Sequence, residues 1–205
     1  MAREILHRTP ADSRRTPWRN GRGETEELAL WPPAASFERG DFDFRVSRAR
    51  IEESGPFSPF PGFERLLVVT SGAGILLVLS DGTQRVRLRP LEPVRFDGGD
   101  AARAELAAGP VGDFNVFVRS GRGRADVEAL RLGTRRVREA LGPGHALVHV
   151  LAGAAGVRVP REEQPIEAGS GESVWGRELP REEEWELVGR SADALLLVVR
   201  WTGST

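Results

Sequence analysis

The sequence predicts an all-β chain made of two similar barrel-like halves. Three observations carry this. Short apolar or alternating runs recur along the chain and are broken by Gly and Pro. Helical periodicity is weak almost everywhere. Two separate segments of the first half recur in the second at one common offset. A chain of 205 residues has room for one large β domain or two small ones.

Residues 42–51, Phe-Asp-Phe-Arg-Val-Ser-Arg-Ala-Arg-Ile, read as a strand with two faces at period two. Residues 66–69 and 75–79 flank Thr70-Ser71-Gly72-Ala73-Gly74 and read as a hairpin-like pair. Ser80-Asp81-Gly82-Thr83 is the next turn, with Asp-Gly as its signal. Residues 86–88, 94–96, 102–106 and 114–118 continue the series, and many short strands at this spacing predict a sandwich or barrel. In the second half, 148–154 repeats the pattern of 67–73, and 196–200 that of 115–119, both at an offset of 81. Ser173-Val174-Trp175 stands against Val94-Arg95-Phe96 close to that offset. A shared offset at both ends of a segment favours a duplicated β unit, with a boundary in the polar stretch 120–144. The expected halves are 1–122 and 123–205. The pattern leaves 126–132 open between a strand and a short helix.

The net charge of -1 argues against a nucleic-acid partner, which needs a basic footprint. Arg119, Arg122 and Arg124, and Arg135, Arg136 and Arg138, cluster locally and read as solvated positions. All 29 basic residues are arginine, and the chain has no lysine, tyrosine or cysteine. Schiff-base chemistry, pyridoxal attachment, thiolate nucleophiles and tyrosyl acid catalysis are therefore excluded. Arginine stays protonated and is a poor base. Any catalysis falls to Asp, Glu, the three histidines or hydroxyls. No apolar run reaches the roughly 20 residues of a membrane helix, so no membrane partner is expected. Met1-Ala2-Arg3-Glu4-Ile5 lacks a signal-peptide core, and a cytoplasmic protein is expected.

Three Gly/Pro-rich segments of the first half are specific. They are 17–29, Pro-Trp-Arg-Asn-Gly-Arg-Gly-Glu-Thr-Glu-Glu-Leu-Ala; 44–49, Phe-Arg-Val-Ser-Arg-Ala, with 55–65, Gly-Pro-Phe-Ser-Pro-Phe-Pro-Gly-Phe-Glu-Arg; and 109–117, Gly-Pro-Val-Gly-Asp-Phe-Asn-Val-Phe. With Phe96-Asp97-Gly98-Gly99-Asp100 they resemble the signature of the HutD/Ves family, a bicupin group linked to histidine utilisation. The motifs span 17–119, and the C-terminal half matches only in general cupin pattern. The resemblance implies a bicupin, two stacked cupin-type halves, whose N-terminal half holds a small pocket for a carboxylate-bearing molecule. It also implies a regulator or sensor of histidine degradation that binds a pathway intermediate. Arg19 replaces the family's Lys, Arg22 its middle Gly and Phe117 its Met. Arg22 puts a long side chain where the family has none, which bears on access to the pocket.

Residue by residue, the small or apolar Ala49 and Ile51 predict that the face of Asp43, Arg45, Ser47, Ala49 and Ile51 points inward. A buried guanidinium is costly without an anion. Arg45 is then either a fork for a ligand carboxylate, with Ser47 assisting, or one side of an internal salt bridge to Asp113 or Glu26. Asp113 and Asn115 share a strand face with Phe117 and Arg119. Either the two orient a ligand or they satisfy turn backbone. Trp18 and Asn20 precede Gly21-Arg22-Gly23, which either lets backbone approach a ligand or makes a tight turn. It lacks the Lys-Ser/Thr of a phosphate loop. Phe57 and Ser58 are pocket-rim candidates, Phe60 a barrel plug, and Arg65 a second anion ligand. His7, His145 and His149 form no His-x-His pair. On a strand His145 and His149 lie about 13 Å apart, so no metal is expected. No cofactor is expected either.

The expected function is binding of a small anion such as urocanate, formylglutamate or formate, lined by Trp18, Asn20, Arg45, Ser47, Phe57, Ser58, Arg65, Asp113 and Asn115. The rival is a metal-free enzyme on a carboxylate substrate, with Asp113 as the catalytic base. A homodimer through sheet edges is a further expected assembly.

Overall fold

The computed structural model describes residues 2–17 and 23–203, so Trp18, Arg19, Asn20 and Arg22 lie outside the described residues. Those described hold strands, one 3-10 turn at Ser80–Gly82 and no α-helix. No helix among them is long and apolar enough to cross a membrane. The chain divides into two compact units, Arg14–Arg122 and Met1–Ser13 with Gly123–Thr205. The first strand of the chain, β1 (Glu4–Arg8), therefore belongs with the second unit.

The first unit carries β2 (Arg14–Pro17), β3 (Glu24–Trp31), β4 (Phe44–Ile51), β5 (Gly55–Pro56), β6 (Phe63–Ser71), β7 (Ile75–Leu79), β8 (Gln84–Leu88), β9 (Pro93–Asp97), β10 (Arg103–Leu106) and β11 (Val111–Arg119). They form a six-stranded sheet, β2-β3-β4-β11-β6-β9, and a four-stranded one, β5-β10-β7-β8. The second unit adds β12 (Gly123–Arg131), β13 (Arg136–Ala140), β14 (Gly144–Ala152), β15 (Ala154–Arg158), β16 (Ile166–Gly169), β17 (Ser173–Leu179), β18 (Glu184–Gly189) and β19 (Leu195–Gly203). Its sheets run β1-β17-β14-β19-β12 and β13-β18-β15-β16. The order β4-β11-β6-β9 in one unit matches β12-β19-β14-β17 in the other, and β5-β10-β7-β8 matches β13-β18-β15-β16. The duplication read from the sequence offset is thus present in the strand order. Residues 126–132 resolve mostly into strand β12.

Each unit is a two-sheet antiparallel sandwich of cupin type, and neither closes into a barrel. In the first unit Ile51, Leu67, Val69 and Val111 of the large sheet pack with Ile75, Leu77, Leu88 and Ala104 of the small one. In the second, Val148, Val174 and Val198 pack with Val157, Trp185 and Leu187. Apolar residues at period two on each strand place these side chains on one face.

The segment 66–79 departs from expectation. β7 pairs with β8 and β10, whereas β6 pairs with β9 and β11, so the two strands belong to different sheets and are not a hairpin. The intervening glycines make the crossing. Gly72 has φ +88, and a Cβ there would meet the Pro110 carbonyl oxygen at 2.6 Å. The true hairpin is β7–β8, across the expected turn at 80–83.

Candidate functional site

The pairing of the six-stranded sheet arranges its inward residues in rows. Leu30, Arg45, Phe117, Arg65 and Phe96 lie side by side across β3, β4, β11, β6 and β9. The next row is Glu27, Ser47, Asn115, Leu67 and Val94, and the third contains Thr25, Ala49, Asp113 and Val69. Polar residues thus occupy a patch between two apolar clusters. Along β6, Phe63 belongs to an aromatic cluster with Phe42 and Phe117, Arg65 is polar, and Leu67 belongs to the aliphatic core.

Arg45 is 4% exposed and points inward, as the strand register predicts. Its Nε donates to Glu27 Oε2 at 2.9 Å and its Nη1 to Ser47 Oγ at 3.2 Å. Phe37 covers the guanidinium, with the ring centroid 4.0 Å away. Burial lowers the Arg45 pKa, and the Glu27 carboxylate acts the other way. The ion-pair partner is therefore Glu27, not Asp113 or Glu26. Glu26 alternates to the opposite face of β3 and accepts from Arg48 at 2.9 and 3.0 Å. Glu27 is brought opposite Ser47 by the register, and a bulge follows between Glu27 and Ala29.

Arg65 is 5% exposed and enclosed by Phe57, Phe117 and Phe96, whose centroids lie 4.2, 5.1 and 5.5 Å from its guanidinium carbon. Its Nε and Nη2 both donate to Asn115 Oδ1, at 2.9 and 2.6 Å. The amide of Asn115 in turn donates to Asp113 Oδ2 at 2.8 Å. Arg65, Asn115 and Asp113 form one relay. Burial pushes the Arg65 guanidinium down to about 10, opposed by Asp113 and reinforced by Arg45. Burial raises the Asp113 pKa, with Asn115, Arg65 and the Ala49 backbone acting against it. Asp113 is 2% exposed, and its Oδ1 has no hydrogen-bond partner among the described residues.

The structure therefore brings together Arg45, Ser47, Arg65, Asp113, Asn115 and the half-buried Phe57. Ser58 is exposed and outside this group. Phe60 packs on Phe37 and Phe117 at centroid distances of 5.2 and 5.1 Å. Trp18 and Asn20 lie outside the described residues. Sequence reasoning missed Glu27, Phe37, Phe96 and Phe117 as parts of the site. The period-two pattern of β3 hinted at Glu27, but only the register to β4 brings it to Arg45.

The second unit's interior has a different chemistry. At the sequence offset of 81, Asp113 and Asn115 correspond to Ala194 and Leu196, and the residue that pairs with Val198 as Arg65 pairs with Phe117 is Val148, all three in the apolar core. His145 and His149 share a face of β14; His149 Nδ1 hydrogen-bonds Ser173 Oγ at 2.8 Å, and His145 packs on Trp201 with centroids 4.7 Å apart. No cluster of three or more His, Asp or Glu side chains able to hold a metal ion occurs among the described residues. The cupin pattern of histidines and glutamate is not met.

A family model described as HutD matches residues 10–196. The chain belongs to the HutD family. A conserved protein of unknown function from Pseudomonas aeruginosa PAO1, PA5104, is 26% identical with a TM-score of 0.86, covering 98% of this chain and 100% of that one. HutD from Pseudomonas fluorescens SBW25, solved in a formate condition, is 28% identical with a TM-score of 0.75 and the same coverage. A cupin 2 conserved barrel domain protein from Leptotrichia buccalis, 12% identical over 88% of this chain and 89% of that one, has a TM-score of 0.55 and shows the fold alone. In this HutD-family chain the polar interior lies within the stretch that carries the family-like motifs.

Proposed function

We propose that the interior of the first unit binds a small carboxylate, and that the chain thereby senses an intermediate of histidine degradation. The observation that carries this is the bonding of Arg65. A guanidinium this buried loses several kcal/mol of hydration. Two hydrogen bonds to a neutral amide oxygen return about 1.5–3 kcal/mol each at best. Aromatic faces add about 1–2 kcal/mol. Arg45 has a carboxylate of its own in Glu27, while Arg65 meets Asp113 only through Asn115. A ligand carboxylate would complete Arg65 with charge-assisted bonds. Family membership and the relative solved in a formate condition support a small organic acid: formate, formylglutamate or urocanate.

Calorimetric titration of the whole protein with formate, formylglutamate, urocanate and histidine tests the reading. At least one acid is expected to bind, and Arg65→Gln to weaken it about ten- to a hundredfold. No binding of any of them would refute the reading.

A second reading is that of a metal-free enzyme. The observation favouring it is Asp113, buried with a raised pKa and one oxygen without a partner among the described residues, as a base would be. Turnover of a carboxylate substrate, abolished by Asp113→Asn, separates it from sensing.

A further inference from the structure

On the inward faces of the first unit the partly exposed Arg119 pairs with Asp43 at 3.2 Å beside Phe63, and four further charged groups lie deeper among the described residues. They are Glu27 on β3, Arg45 on β4, Arg65 on β6 and Asp113 on β11. The strands packed against them supply apolar groups: Ile75, Leu77 and Leu79 from β7, Leu88 from β8, Phe96 from β9 and Ala104 from β10. The exposed Arg14–Glu38 pair acts on Arg45 and is neutral overall. Glu26 and Arg48 pair on the opposite face of the sheet. The three histidines belong to the other unit.

In this setting Glu27 balances Arg45 at 2.9 Å, which leaves Arg65 balanced by Asp113 alone. An anion arriving on Arg65 makes two carboxylates share one cation. Both cannot stay ionised cheaply in a buried site, and the more deeply enclosed one takes up a proton. The geometry provides for that. Asp113 Oδ2 is held by the Asn115 amide, while Oδ1 is buried and has no hydrogen-bond partner among the described residues. A proton on Oδ1 leaves the Arg65–Asn115–Asp113 relay intact.

We infer that the first unit takes up its anion together with one proton, which lodges on Asp113, so that the ligand class is the monobasic weak acid. This rests on the carboxylate-binding reading above. The step balances: one carboxylate anion enters from water, one proton enters from water, and the buried charge is unchanged. A second carboxylate on the ligand would meet, among the described residues, only Arg45, which Glu27 already balances at 2.9 Å, so it is better left outside. Burial already moves the Asp113 ionisation in the required direction before any ligand arrives. Between the ionisations of Asp113 in the free and bound states, affinity falls about tenfold for each unit rise in pH.

The test is calorimetric titration of the intact protein with formate, from about pH 5 to about pH 9, where formate stays ionised. Each pH is measured in two buffers of different ionisation heat. The expected result is a buffer-dependent heat that approaches one proton taken up per formate within that range, with affinity falling there. Infrared difference spectra should show a protonated-carboxyl band on adding formate. Asp113→Asn is expected to bind formate with buffer-independent heat and flat pH dependence. Formate binding by the wild-type protein with buffer-independent heat throughout overturns the inference, whether or not Asp113→Asn folds. So does wild-type proton uptake retained in Asp113→Asn. If formate does not bind, the same two-buffer titration is made with whichever acid of the panel does, and absence of binding by all of them at every pH overturns the carboxylate reading beneath it.

Discussion

A side chain that titrates inside a sheet reports its surroundings through the stability of the fold. His145 is buried on β14 with its ring against Trp201, and burial, with Arg177 nearby, lowers its pKa to about 4. Above about pH 6.5 the imidazole is neutral in both folded and unfolded chains and contributes nothing to pH dependence. Below that, the unfolded chain gains a proton that the folded chain refuses. Stability is therefore lost as pH falls from about 6.5 to about 4, by about 3 kcal/mol from this group, and the loss levels off once the folded form protonates. Urea unfolding across that range should show about one proton fewer in the slope for His145→Phe than for the wild type. An unchanged slope would mean that His145 is charged in the folded state. Arg65 makes the contrasting case. Its guanidinium keeps its charge when buried, because even about 10 lies far above physiological pH. The fold must supply or borrow an anion for it.

Strand β1 shows how a cation just outside an element can add to its hold on the sheet. It pairs with β17 and lays Ile5 on the second unit's core. Just before it, Arg3 donates from Nε and Nη2 to Glu183 Oε1 at 3.0 and 2.9 Å, and Trp185 Nε1 donates to the same oxygen at 3.1 Å. Glu183 is 5% exposed. Arg3→Ala leaves a buried carboxylate with only an indole donor, and should cost about 3 kcal/mol in urea unfolding, as breakage of a buried pair does. Arg3→Lys should recover part of that, because the point charge remains and the two-pronged geometry does not. This clasp was not legible in the sequence, since it joins residues 180 positions apart. The same limit explains what was missed at the candidate site. Alternation on a single strand was enough to turn Arg45, Ser47 and Ala49 inward, and to group Asp113 with Asn115. The partners of Arg45 and Arg65 depend on registers between strands, β3 to β4 and β6 to β11. Glu27 and Glu26 look alike in sequence, and only pairing decides which enters the interior. Likewise 66–69 and 75–79 looked like a hairpin because each is a strand beside a Gly-rich turn. The glycines at 72 and 74 instead carry the chain to another sheet.

At the scale of the whole chain, duplication gives an internal control for the cost of the polar interior. Two sandwiches share one strand order, yet the faces of β14 and β19 that carry Ala146, Val148, Val150, Leu196 and Val198 pack into an apolar cluster, while the matching faces of the first unit contain Arg45, Ser47, Arg65, Asp113 and Asn115. The second unit demonstrates that this architecture closes well with aliphatic residues at the corresponding positions. Buried ionic networks are commonly no more stable than apolar replacements of similar volume, and replacing one often stabilises by about 1–4 kcal/mol. If the first unit retains its network for binding, the triple variant Arg65→Met, Asp113→Val, Asn115→Leu should unfold at equal or higher urea concentration than the wild type and lose carboxylate binding. Replacing all three together matters. A single change such as Asn115→Leu strands a buried guanidinium and a buried carboxyl at once, and would destabilise whichever role the network has. If the network is instead a structural device, the triple variant should lose several kcal/mol, because the rows across β4, β11 and β6 would repack around side chains they do not fit. Urea midpoints of the triple variant and of Asn115→Leu, measured together, separate the two. A triple variant at least as stable as the wild type, with Asn115→Leu well below both and carboxylate binding lost, identifies a polar core kept for its ligand.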